Sequence, residues 1–252
     1  MTDAVHFSDL SYAYTPGAWV LRGYSGAIPK GGIFSILGPN GSGKTTLLML
    51  LLGLLKPASG AVTTMGHIAM VPQIFQVTFA FSVLDMVLMG RARQIGLFSQ
   101  PSRRDVDVAR SALERVGIAD LEQRSFHELS GGQRQLVILA RALVAETDIL
   151  LMDEPTSALD LKNQDMVLQW IFRLAKEDGL TVLFTTHHPH HALAVADNAL
   201  LMLDVSEYVC GPTSDILSEN NLRRVYGLPI QRLEFEFNGR AVSTLVPVFF
   251  GE

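Results

Sequence analysis

The residues Gly38-Pro39-Asn40-Gly41-Ser42-Gly43-Lys44-Thr45 fit the spacing G-x-x-x-x-G-K-[ST], which wraps backbone N–H groups around phosphate oxygens. The residue types suit that task. Glycines let the backbone approach an anion without a Cβ in the way, the Lys44 ammonium suits the outer phosphates, and the Thr45 hydroxyl suits Mg²⁺. Far downstream, Asp153 and Glu154 follow the apolar run Ile149–Met152. Nucleotide hydrolysis needs a metal to neutralise phosphate charge and a group to orient or deprotonate water; Asp153 fits the first role and Glu154 the second. A third stretch, Leu129-Ser130-Gly131-Gly132-Gln133, precedes a helical run from Arg134 through Ala145, so its N–H groups and hydroxyl form another candidate anion site. Each has a plain alternative: a glycine-rich turn, a strand ending in a turn, a helix N-cap at Ser130. Their presence together in one chain favours phosphate chemistry.

These groups need elements to hold them. Ile33–Leu37 reads as a short buried strand and Lys44 through Leu55 as a helix apolar on nearly every face. The glycine-rich loop therefore joins a strand end to a helix N-terminus, where unpaired N–H groups and the helix dipole favour an anion. Asp153 and Glu154 end a second strand, at the carboxyl edge where open α/β sheets place their ligand groups. The apolar strand Thr181–Thr186 delivers His187 to the same edge. His187 opens the run His187-His188-Pro189-His190-His191, which is also compatible with a transition metal or a solvated turn. Short apolar runs at Val137–Leu139, Ile149–Met152 and Val182–Phe184 read as elements of an α/β fold buried on both faces of a parallel sheet.

The flanks are organised differently. Residues 1 to about 30 read as alternating strands turning at Pro16-Gly17, an edge sheet that carries Tyr14. From Val83 to Glu128 the pattern is helical, with Leu84, Val87 and Leu88 on one face, then Val106, Ala109, Leu113 and Val116 after the Pro101 break. Near the end, Leu233–Phe237 alternates, Asn238-Gly239 is a hairpin turn signal, and Val242–Val248 returns; the hairpin is expected to cover apolar surface.

A chain of 252 residues, 48% of them hydrophobic, can bury a large core, as one domain with an inserted lobe or as two close-packed lobes. The net charge of −5, with 20 Lys and Arg residues in no long block, excludes the basic field that nucleic-acid binding requires. The apolar stretch Leu47–Leu55 is about half of what a membrane span needs. One cysteine, Cys210, expected buried or half-buried, and no signal-like opening segment suggest a reducing cytoplasm.

From about Val5 to about Val209, the motifs and their order resemble the nucleotide-binding subunit of an ATP-binding-cassette (ABC) transporter. The resemblance implies a P-loop NTPase fold with a mostly parallel core sheet, an antiparallel edge sheet and an inserted helical lobe. It implies one ATPase domain over 1–252: a nucleotide-binding core at about 1–82 and 140–204, a helical lobe at about 83–139 ending in the signature, and a C-terminal extension at about 205–252. The cofactors would be ATP and Mg²⁺. Tyr14 resembles the aromatic that stacks on adenine; Gly38, Pro39, Asn40, Gly41, Ser42, Gly43, Lys44, Thr45 and Thr46 correspond to the phosphate cradle. Thr45, Gln73 and Asp153 correspond to the Mg²⁺ positions, and Glu154 and His187 to the catalytic glutamate and switch histidine. Ser130, Gly131, Gly132 and Gln133 belong to the signature, and Asp160 closes the dimer-contact loop Ser157-Ala158-Leu159-Asp160. The family usually places an acid after the switch histidine; here it is His188.

In such proteins two copies join head to tail, so each signature closes on ATP held by the other's loop. The implied partners are a second copy, polytopic membrane permease subunits and, indirectly, a periplasmic substrate-binding protein, with no nucleic acid. The implied location is cytoplasmic, peripheral on the cytoplasmic face of the inner membrane. Phe81–Arg91 and Val225-Tyr226-Gly227 are similar to segments of metal-chelate and oxyanion importers, the iron-siderophore, haem, cobalamin and molybdate class. The segment between Gly60 and Gln73 is short, leaving room for one strand, and Thr185–Pro189 looks most like the molybdate type. A soluble non-transport cassette ATPase, such as one for iron–sulfur cluster assembly, would share every catalytic motif.

Overall fold

The computed structural model describes residues 2–73, 78–96, 99–157 and 159–250. Strand β1 (Asp3–Thr15) pairs antiparallel with β2 (Ala18–Pro29) across the Pro16-Gly17 turn, and β4 (Ser59–Thr64) pairs along its other side. Six further strands make the central sheet in the order β5 (Ile68–Val71), β6 (Ile149–Met152), β7 (Thr181–Thr186), β3 (Ile33–Leu37), β8 (Asn198–Met202), β9 (Tyr208–Pro212). All neighbours in it run parallel except β8 and β9. This is the ABC-type P-loop fold expected, with a mostly parallel core and an antiparallel edge sheet.

Side chains alternate across a strand, and here both faces are apolar. Leu37, Leu150, Met152, Val182 and Phe184 point into one core, with α4 (Gly131–Leu143) and α5 (Leu161–Lys176). Phe34, Ile36, Leu151, Leu183 and Leu200 point into a second core, shared with β1, β2 and α1 (Lys44–Leu51). The continuous burial of β3, β6 and β7 is what a parallel sheet covered on both sides requires.

Between β5 and the signature lie α2 (Val83–Leu88) and α3 (Arg103–Arg115), each started by a Ser–Asp capping box, Ser82/Asp85 and Ser102/Asp105. Ala109, Leu113 and Val116 are buried as the periodicity predicts, with Val106 half-buried. In α2 Val87 is buried as predicted, together with Val83 and Met86, while Leu84 and Leu88 are half-buried against the same core. Past β7 come α6 (Pro189–Val195), α7 (Thr213–Ile216) and α8 (Glu219–Tyr226). Among the described residues no helix is long and apolar enough to cross a membrane.

Three expectations need correction, and a fourth holds. The helix begun at Lys44 ends at Leu51, not Leu55: Gly53 takes φ 78°, its N–H donates to the Leu50 carbonyl, and the Leu54 N–H reaches back to Met49. Between Gly60 and Gln73 there are two strands, because only three residues, 65–67, carry the chain from β4 in the edge sheet to β5 in the core sheet. Cys210 is exposed, since it lies on the outermost strand β9. The C-terminal hairpin, β10 (Ile230–Phe237) and β11 (Arg240–Pro247), turns at Asn238 and Gly239, both at positive φ, as the sequence signals. Its Ile230 and Leu245 join the main core, so it covers apolar surface as expected, while the opposite face leaves Leu233, Phe235 and Phe237 exposed.

Gly60 is the tightest joint of the edge sheet. It sits at φ 87°, and a Cβ there would lie 2.3 Å from the Ser8 carbonyl oxygen, a backbone atom that cannot swing away. Gly60→Ala is expected to destabilise the fold by about 3 kcal/mol, read as a lower denaturation midpoint. An unchanged midpoint would mean that β1 and β4 shift to admit the methyl group.

Candidate nucleotide site

The loop between β3 and α1 carries the first group of site residues. Gly43 occupies the helix N-cap at φ 97°, and a Cβ there would meet Val20 Cγ1 at 2.8 Å, so β2 presses directly on the loop and fixes its path. Lys44 is only 6% exposed; its ammonium donates to the Gly38 carbonyl at 2.9 Å and the Pro39 carbonyl at 3.0 Å and forms an ion pair with Glu154 Oε1 at 3.2 Å. Thr45 donates its hydroxyl hydrogen to Asp153 Oδ2 at 2.8 Å. The next hydroxyl, Thr46 Oγ1, lies 3.2 Å from the phenol oxygen of Tyr14, which is otherwise 61% exposed and packs edge-on against Tyr12.

The second group sits where β6 and β7 end side by side. Asp153 and Glu154 are 4% and 7% exposed, so their charges are held by neighbours rather than by water. Glu154 adopts φ 47°, a left-handed conformation unusual for a non-glycine residue, which turns its carboxylate back over the loop toward Lys44. Its Oε2 lies 2.6 Å from His187 Nδ1. An ionised carboxylate only accepts, so Nδ1 then carries the hydrogen. Thr185, at the end of β7, ties the pair together: its hydroxyl donates to Asp153 Oδ1 at 2.7 Å and accepts the Glu154 N–H at 2.8 Å. Sequence reading gave Thr185 no role. Its one signal is a hydroxyl at the polar end of a fully buried strand.

Gln73 follows β5 and donates to Ser157 Oγ at 3.4 Å; Ser157 in turn donates to the Glu154 carbonyl at 2.8 Å. Tyr14, Asn40, Gly41, Gly43, Lys44, Thr45, Thr46, Gln73 and Glu154 line one open cavity of about 400 Å³. The signature lies elsewhere. Ser130 caps α4, accepting the Gln133 N–H at 3.3 Å while Gln133 Oε1 accepts the Ser130 N–H at 3.0 Å. Gly132 abuts the Asn163 side chain, and Asp160 caps α5 by accepting the Asn163 N–H at 2.8 Å. None of Ser130, Gly131, Gly132, Gln133 and Asp160 lines the cavity. Ala158 lies outside the described residues.

The donor set suits a hard, oxygen-seeking cation: a threonine hydroxyl, a carboxylate and a glutamine amide beside a phosphate-type loop. No cluster of three or more His, Cys, Asp or Glu side chains able to hold a metal occurs among the described residues, which leaves the histidine run without metal geometry. His188 and His191 instead pack ring against ring with their neighbours. His191 is buried beside the Thr156 hydroxyl, and burial, followed by the nearby His190, His188 and His187, holds its imidazole far below the usual range, at about 3. The ring is therefore neutral in the fold but takes up a proton on unfolding below about pH 6.5. Stability is complete above that pH and falls as pH drops toward 3. Thermal melts at pH 7 and pH 5 are expected to show a smaller acid-induced loss for His191→Gln than for the natural chain; equal losses would assign the acid sensitivity to other groups.

Residues 21–157 match the ABC transporter family. The molybdate import ATP-binding protein MolC of Haemophilus influenzae is 40% identical, covering 99% of this chain and 98% of its own length. The manganese transport system ATP-binding protein MntB of Bacillus subtilis is 39% identical over 82% of this chain and 86% of its own. A solved metal-chelate type ABC transporter in an inward-facing conformation superposes with a TM-score of 0.95 at 39% identity, with 99% of each chain covered. The phosphate loop, the paired carboxylates and the matched fold therefore make this chain a member of the ABC transporter family, its ATP-binding, ATP-hydrolysing component.

Proposed function

We propose that the chain powers an importer of a metal chelate or oxyanion, such as an iron-siderophore, haem, cobalamin or molybdate, by hydrolysing ATP between two copies of itself. The observation that carries this reading is the convergence of Lys44, Thr45, Asp153, Glu154 and His187 at one mouth while Ser130–Gln133 do not line its cavity. A site whose phosphate loop and signature lie apart within one chain is completed by a second copy, head to tail. Nucleotide occupancy then decides whether two copies close, and closure moves α2, α3 and the start of α4 relative to the loop. That movement is passed to polytopic permease subunits, which receive cargo from a periplasmic binding protein, and it places the chain on the cytoplasmic face of the membrane.

Within the site, Tyr14 stacks on the adenine and the Gly38–Thr46 backbone and Lys44 hold the phosphates, with the Lys44 contact to Glu154 exchanged for a phosphate oxygen. Thr45, Asp153 and Gln73 would hold Mg²⁺, which supplies charge neutralisation at the phosphates. Glu154 takes a proton from the attacking water as its oxygen bonds to the γ-phosphorus and the bond to the β-phosphate oxygen breaks, and His187 lies beside the γ-phosphate. The cargo assignment leans on relatives: MolC is named for molybdate and MntB for manganese, at nearly equal identity to this chain. Its test is a pull-down from detergent-solubilised membranes of the source, using Glu154→Gln with ATP to hold the dimer closed. A polytopic membrane protein of the metal-chelate or oxyanion class is the expected partner. Recovery of soluble partners alone would overturn the transport assignment in favour of a cluster-assembly type of ATPase.

A further inference from the structure

The C-terminal extension reaches the nucleotide site through one peptide bond, the one joining His187 to His188. Tyr226, the last residue of α8, donates its hydroxyl hydrogen to the His187 carbonyl at 3.2 Å. On the other side of the same planar unit, the His188 N–H donates to Thr186 Oγ1 at 3.0 Å. Both polar groups of this peptide are thus held, and its rotation is what would swing the His187 ring away from Glu154. Packing alone leaves room for such rotation. A cavity of about 210 Å³ lies against this segment, between His188 and His190 on one side and Leu245 and Phe249 on the other. Burial, then the charge of Glu154, pushes the Tyr226 hydroxyl to a higher pKa than usual, so it remains a donor across the neutral range.

We propose that Tyr226 is a positioning residue for His187, fixing the backbone from which the imidazole reaches Glu154. This rests on the reading of His187 as a catalytic group. In this chain the residue after that histidine is itself a histidine, whose ring packs against His187 at a 42° tilt with 4.0 Å between centroids, so no side-chain carboxylate follows to orient it. Tyr226 supplies the orientation from 39 positions further along the chain, and the extension becomes part of the ATPase site as well as a cover for apolar surface.

The test compares Tyr226→Phe, Thr186→Val and His187→Ala as purified full-length chains, assayed for phosphate release over a range of protein and ATP concentrations, with thermal melts to establish folding. Tyr226→Phe removes one hydroxyl and is expected to lower kcat about fivefold with KM unchanged, the effect of a net hydrogen bond of about 1 kcal/mol. Thr186→Val releases the other end of the same peptide and should show the same split between kcat and KM. A wild-type kcat in Tyr226→Phe, or a loss expressed in KM, would overturn the proposal while His187→Ala remained impaired. Wild-type turnover in His187→Ala would instead remove the catalytic reading of His187 and the proposal with it.

Discussion

Glu154→Gln is expected to keep ATP binding and lose hydrolysis by about 10²–10⁴-fold, the range that a positioned general base supplies. The amide matches the carboxylate in shape, so the left-handed turn at φ 47°, the Thr185 bond to the residue-154 N–H and the overall mouth of the site should persist. What changes is basicity. Glu154 Oε2 accepts from His187 Nδ1 at 2.6 Å and Oε1 forms an ion pair with Lys44 at 3.2 Å, so both carboxylate oxygens are held. An amide oxygen in the same place still accepts from Lys44 but does not take a proton from water. ATP should then persist between two closed chains. Size-exclusion chromatography with ATP should show a stable dimer for the variant, and a phosphate-release assay should show almost no turnover. Turnover at the natural rate would mean that another residue orients the water, and the 2.6 Å contact would make His187 the first to examine.

The candidate site residues were legible because their types are constrained by the chemistry they suit. Gly38–Thr45, Asp153-Glu154 and His187 stand out against apolar strands, and strand ends are where a parallel sheet delivers them. Ser130 was legible twice, as a cap and as a candidate anion site, since one S-x-x-Q spacing serves the helix start in either case. Thr185 was not legible, because a threonine inside a buried β-branched strand reads as strand propensity; only the register of β6 beside β7 turns its hydroxyl toward both Asp153 and Glu154. The end of α1 was missed for the opposite reason. Leucines continue through Leu55 and hide Gly53, whose positive φ closes the helix four residues earlier than the apolar run suggests. The link from Tyr226 to His187 spans 39 positions along the chain and depends on how α8 packs, which no local pattern encodes.

Lys44→Ala separates the two duties of the loop, binding phosphate and neutralising Glu154. Removal of the ammonium deletes the one Lys or Arg ion-paired with Glu154 among the described residues, and both Lys44 and Glu154 are nearly fully buried. A buried carboxylate left without its partner is costly, though the His187 contact softens the loss, so about 1–3 kcal/mol of stability is expected to disappear. Binding suffers separately. Charge-assisted hydrogen bonds to phosphate contribute about 1.5–3 kcal/mol each, so ATP affinity should fall at least about tenfold, measured with a fluorescent nucleotide analogue. The double variant Lys44→Ala with Glu154→Gln distinguishes these duties, since it removes both charges at once: its melting temperature should recover toward that of the natural chain while its ATP affinity stays low. If stability does not recover, the Lys44–Glu154 pair contributes little to the fold, and the destabilisation of Lys44→Ala comes from the Gly38 and Pro39 carbonyls that lose their donor. If affinity recovers with stability, Lys44 acts on ATP only by keeping the loop folded.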